Sequence, residues 1–151
     1  MLRLNTRLFL NCLEGVDDEL AARRPGPQTN GMGFLALHLL DARTHLGSVI
    51  GAEAGHPFAA LLEGVRGIDE LDRLPPLDEV RSAWERVSAA VADRLAELTE
   101  EEVLRPSPGD YPVEDATVLG AVAFLLQHDS YHVGQLALLR KHFGLGAMRY
   151  R

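Results

Sequence analysis

The sequence predicts an all-α protein, a four-helix bundle built by a single domain over residues 1–151. Apolar residues recur at helical spacing in four separate segments, and strand-like alternation is weak throughout. Stretches rich in Pro and Gly, short or medium in length, divide the segments. A chain of this length can bury one respectable core.

The first segment runs from about Leu2 to Ala22: Leu2, Phe9 and Val16 are seven apart, and Leu13, Val16 and Leu20 repeat at helical spacing. Cys12, in "LFLNCL", falls within this pattern and reads as a small core residue. "RRPGPQTNG" then stops the helix. The second segment spans about Met32 to Ala54, with Asn30 as its expected N-cap. It is apolar nearly all round, and its interior polar groups are His38, Asp41, Arg43, Thr44, His45 and Ser48. "GHPFAALLEGVRGIDELDRLPP" has room for one short helical turn. The third helix carries Val80, Trp84, Val87, Val91, Leu95 and Leu98 on one face, which places Trp84 in the core, and Arg81, Glu85, Asp93 and Arg94 on the other. "TEEE", Thr99 to Glu102, has capping-box spacing. After the loop "RPSPGDYPVED", the last helix runs from about Thr117 to Phe143 and stops at "GLG". The connections after the second and third helices, the two longest, leave the winding order open.

Bulk composition narrows the function classes. Hydrophobic residues make up 46% and charged residues 25%, ordinary for a soluble globular protein. A formal charge of −7 with no Lys/Arg run argues against nucleic acid or an anionic membrane as main partner. A single cysteine excludes an internal disulfide and a thiolate zinc cluster. The N-terminal stretch lacks a signal-peptide pattern, and no run approaches the roughly 18 apolar residues of a membrane span. A cytoplasmic protein without membrane attachment is expected.

The six histidines carry the functional question. "HDSYHVGQ" puts His128 and His132 four residues apart on a stripe with Ala121, Leu125, Gln135 and Leu139. A core stripe ordinarily holds Leu at such places, because a buried imidazole must satisfy two ring nitrogens. Two adjacent imidazoles need several hydrogen-bond partners or one shared cation. The second helix offers a matching polar line of Phe34, His38, Asp41, His45 and Ser48. If the two helices are neighbours, one histidine of this line can face the other two. Three converging nitrogens suit Zn²⁺, Ni²⁺ or a similar divalent ion and leave coordination positions open. His38 is the preferred third ligand over His45, because its apolar neighbours are denser. His56 reads as a loop residue, and His142 suits a helix C-terminus. Hydrogen-bonded histidines holding no ion are the competing reading of the same pattern.

"GFLALHLLDARTH" and "LLQHDSYHVGQLALLRK" resemble the DinB/YfiT-like superfamily of metal-dependent proteins. In that pattern a histidine on helix two joins an H-x-x-x-H on the last long helix, followed by a small residue and Gln. The matching positions are His38, His128, His132, Gly134 and Gln135. The likeness extends over nearly the whole chain as helix order and spacing. It implies a DinB/YfiT-like four-helix bundle, a homodimer, and a divalent metal in a cleft at one end. Some members resemble transferases or isomerases that use low-molecular-weight thiols such as mycothiol or bacillithiol, so an external thiol is an implied cosubstrate. The shared motif does not assign a branch, and the family name implies no nucleic-acid role.

On this reading the protein is a metal-dependent hydrolase or thiol-dependent transferase acting on a small molecule. Asp41, three residues beyond His38, is a candidate to orient an imidazole or act as general base, or else to pair with Arg43. Asp129 points about 100° away from His128 around the helix and suits a helix–helix polar contact. Tyr131 and Gln135 are cleft candidates, Tyr131 by packing and Gln135 by hydrogen bonding. With Cys12 in the core, thiol chemistry needs an external thiol. The alternative is a non-catalytic bundle dimer, stabilised by metal or metal-free, with a stress-associated or interaction role.

Overall fold

The structure is a computed structural model that describes residues 1–71 and 73–150. Four long helices make the frame: α1 (Leu2–Leu13), α3 (Met32–Ile50), α5 (Leu77–Glu97) and α7 (Val118–His142). Short α2 (Asp18–Ala22), α4 (Ala59–Leu62) and α6 (Glu100–Leu104) lie in the connections, with a 3-10 turn at Ile68–Glu70. Both α1 and α3 pack on α5 and on α7, so the order around the bundle is α1–α5–α3–α7. Among the described residues β-structure is confined to one isolated bridge, between Pro106 and Thr117. No helix among them is long and apolar enough to cross a membrane.

The expected single helix over 2–22 is two helices. Gly15 takes φ 75°, and the Asp17 side chain accepts the Leu20 N–H to cap a new helix. Val16 stays buried across the break, which is why the apolar repeat runs through it unbroken. The second expected helix ends earlier than Ala54: Gly51 closes it in the left-handed conformation. Its N-cap is Gly31 and not Asn30, which stays exposed. The segment after it holds two short turns, α4 and the 3-10 turn, instead of one. Thr99 and Glu102 do form a capping box. Thr117 caps α7 by accepting the Gly120 N–H, and Arg140, Lys141 and His142 fill its last turn. At Gly120 any Cβ would lie 2.0 Å from the Asp115 carbonyl oxygen, so loop and helix touch backbone to backbone there.

Trp84 is fully buried and stacks on Phe9 at 4.2 Å between ring centroids. Cys12 is fully buried as well, and burial pushes its thiol up to about 11, well outside the reactive range. At the centre a charge is sealed in. Arg43 donates through Nη2 and Nε to Asp129 Oδ2 at 2.6 and 3.1 Å, and through Nη1 to Thr6 at 3.0 Å and Ser88 at 2.8 Å. Its guanidinium lies 4.2 Å from the Trp84 ring centroid. One side chain on α3 thus contacts α1, α5 and α7 together. Asp129 makes the helix–helix polar contact expected of it, with Arg43 as its partner.

Candidate metal centre

α3 supplies His38 and α7 supplies His128 and His132. The i,i+4 spacing on α7 stacks two imidazoles on one face, and the packing of α3 against α7 brings the third to them. Each histidine offers a nitrogen such that all three lie within 4.8 Å of one another. His128 Nε2 is 3.2 Å from His38 Nε2 and 3.1 Å from His132 Nε2. Three nitrogens bound to one tetrahedral Zn²⁺ at about 2.0–2.1 Å would stand roughly 3.3–3.4 Å apart, so the spacing fits a shared ion.

Ring tautomers fit it too. His132 Nδ1 lies 2.7 Å from Gln135 Oε1, an acceptor, so Nδ1 carries the proton and Nε2 presents its lone pair to the cluster. His128 Nδ1 is buried with no partner, leaving that ring held from its Nε2 side alone. Burial lowers all three pKa values. For His38, desolvation leads, then repulsion from His132, with Asp41 acting the other way. His128 is pushed down to about 4 by desolvation and by both neighbouring imidazoles. His132 is lowered by desolvation, against the hydrogen bond to Gln135. The three rings are therefore neutral near pH 7, the form that binds metal.

These shifts give a pH dependence for the metal-free protein. In the unfolded chain a histidine takes its proton near pH 6.5, whereas folded His128 resists protonation until about pH 4. The unfolded state then binds more protons, so stability is unaffected above about pH 7 and declines as pH falls from there towards 4. Thermal melts in chelator across that range should show a falling midpoint. A flat profile would contradict the depressed pKa values.

Aromatic rings surround the cluster. Phe34 lies nearly parallel to His38 at 6.2 Å, Phe124 is 6.3 Å from His128, and Tyr131 sets its edge to His132 at 4.9 Å. Next to His38 opens a cavity of about 860 Å³ between α3 and the α4 segment. The whole polar line of α3 (Phe34, His38, Asp41, His45 and Ser48) is in its wall. Asp41 faces His56 Nε2 at 3.5 Å and makes no pair with Arg43, which turns into the core. His45 stands apart from the cluster, sharing a 2.8 Å hydrogen bond with the Tyr111 hydroxyl. Tyr131 and Gln135 engage His132 directly: the Gln135 side chain accepts from His132 Nδ1 and donates to Tyr131 Oη at 3.1 Å. Tyr131 is 58% exposed, so its packing is against the imidazole and not in the core. His142 sits in the last turn of α7 against Phe143.

Three residues of the site escaped the sequence. Phe124 and Tyr111, with ring centroids 5.7 Å apart, form a chain of aromatic contacts from His128 to His45. Tyr111 comes from a Pro-rich loop without periodicity, so nothing in its neighbourhood signals a role. His56 is on the expected loop, yet its side chain is buried against α3.

Gln135 fixes the His132 tautomer, so Gln135→Leu should weaken Zn²⁺ binding about 10–100-fold while the fold stays intact. Calorimetric titration of the variant checks it, and an unchanged affinity would remove Gln135 from that role.

Fold and cluster together define a class: all-helical bundle proteins with imidazoles from two helices converging beside an open cavity. The chain belongs to the DinB superfamily, whose family profile matches residues 1–136. A crystal structure of a DinB-like protein from Bacillus cereus superposes with a TM-score of 0.71, covering 96% of this chain and 89% of that one. At 18% identity that likeness bears on the fold alone. No curated protein matches the chain significantly.

Proposed function

We propose that this chain is a divalent-metal-dependent enzyme whose ion, Zn²⁺ or Ni²⁺, is held by His38, His128 and His132. One observation carries the reading: three neutral imidazole nitrogens, and no fourth protein ligand among the described residues, converge beside a cavity of about 860 Å³. A closed structural site would fill its shell with protein donors, whereas three leave room for water or substrate. When bound, such an ion supplies Lewis acidity that draws the pKa of a water or thiol towards neutrality.

The chain's own residues do the rest. Gln135 orients His132, and the rings of Phe34, Phe124 and Tyr131 pack beside the imidazoles. Asp41 presents a carboxylate to the cavity one helical turn from His38, placed to take a proton from a bound small molecule. Tyr131 and Gln135 are the α7 candidates to touch substrate. The reaction is hydrolysis or transfer to an external low-molecular-weight thiol, since the buried Cys12 thiol cannot serve.

A purely structural ion is the weaker reading, because the buried Arg43 network already ties the four long helices together without one. Protein purified without a His-tag separates the two. Stoichiometric metal with metal-dependent turnover in a panel of ester hydrolysis and thiol-conjugation reactions is expected. Stoichiometric metal without turnover, and a large fall in melting temperature on chelation, would favour the structural ion.

A further inference from the structure

His56 belongs to the segment after α3, where a polar side chain ordinarily turns to solvent. Its imidazole is instead only 8% exposed. Nδ1 accepts the Phe58 backbone N–H at 3.0 Å, so the neutral ring carries its proton on Nε2. Nε2 is sealed from solvent without a hydrogen-bond partner, and the charge it faces is Asp41 Oδ1 at 3.5 Å. Metal on Nε2 would move the ring proton to Nδ1, against the Phe58 N–H, so His56 is no extra ligand. A buried N–H left unpaired is costly, and the Asp41 carboxylate is the acceptor that stands opposite it.

We propose that His56 is a positioning residue whose Nε2–H holds one oxygen of Asp41, making that carboxylate an oriented acceptor for the N–H of a neutral amide ligand with an apolar body. The inference rests on reading the cavity as a substrate site. Asp41 lines the cavity and its side chain is 56% exposed, so the carboxylate keeps an open side. The facing wall offers Ala59, Ala60, Leu62 and Val65 to an apolar body. Glu63 adds a second carboxylate against the single guanidinium of Arg66, a balance that disfavours an anionic ligand.

Benzamide and benzoate, titrated separately into the metal-free full chain, test this by NMR, together with imidazole ¹⁵N spectra of His56. The expected His56 signature near neutral pH is the Nε2–H tautomer. Benzamide should perturb Asp41, Ala59 and Leu62, with benzoate binding at least about tenfold more weakly. Asp41→Asn and His56→Ala should each weaken benzamide about tenfold. His56→Gln, with its donor at the Nε2 position, should restore binding to within about threefold. His56→Asn, whose amide sits where Nδ1 was, should not. An Nδ1–H tautomer, no benzamide binding, equal binding of benzoate, or unchanged affinity in Asp41→Asn would each overturn the proposal. A parallel Zn²⁺ titration keeps the two readings apart. Zn²⁺ binding with a failed benzamide pattern sinks only the amide site; the pattern without Zn²⁺ binding sinks only the metal reading.

Discussion

Arg43→Ala should cost the bundle about 3–5 kcal/mol, a large share of the roughly 5–15 kcal/mol that holds a domain folded. The reason lies in what it leaves behind. Arg43 and Asp129 are 0% and 1% exposed, so removing the guanidinium strands a carboxylate in the core. It also frees the Thr6 and Ser88 hydroxyls and opens a gap over Trp84. Burial raises the Asp129 carboxyl, and Arg43 pulls it back; in the variant only the rise remains. A carboxyl raised in the folded state binds its proton there first, so the variant's deficit relative to wild type should shrink as pH falls towards the unfolded carboxylate range near 4, on top of the decline that the histidines give both proteins. Denaturant melts at several pH values would show this. Arg43→Met combined with Asp129→Leu should recover most of the loss, because two apolar groups leave no charge to solvate. If the double variant were no better than the single one, the loss would have to come from packing.

Zn²⁺ binding should fall by more than the 10–100-fold expected for a supporting residue when any one of His38, His128 or His132 becomes alanine. His45→Ala and His142→Ala should leave it unchanged, since neither ring approaches the cluster. Each triad variant removes one of three nitrogens that lie within 4.8 Å of one another, and two imidazoles hold a dication far less well. The variants should stay folded in chelator, because the Arg43 network contacts all four long helices independently of the triad. Titration calorimetry and far-UV circular dichroism on the same samples separate the two effects. Equal affinity in wild type and triad variants would remove the metal reading.

Much of this arrangement was legible in the residue order, for a physical reason. Long helices advertise themselves through the spacing of buried side chains, and α3, α5 and α7 fall close to where Leu35, Trp84 and Leu125 put them. The same signal misled at residues 14–17, because it reports which side chains are buried and not whether the backbone between them continues. An i,i+4 pair of histidines in an apolar stripe is visible because imidazole is out of place there. Arg43 is out of place in the same way, yet an arginine in an apolar helix has no unique partner until the helices are packed. His56 and Tyr111 sit in segments with no period at all, so what they touch is decided by the path of a loop. Gly120 belongs with them: its need for a bare Cα comes from the Asp115 carbonyl alone.

That last contact bears on how the two flanks of the site are built. The loop carrying Tyr111 meets the first turn of the helix that carries two of the three histidines backbone to backbone, and Val118 N–H donates to Arg105 O beside it. α4, by comparison, is a single turn with no extensive packing on any long helix. The cavity beside His38 is thus walled on one side by the long helix α3 and on the other by this lightly packed segment, residues 56–67.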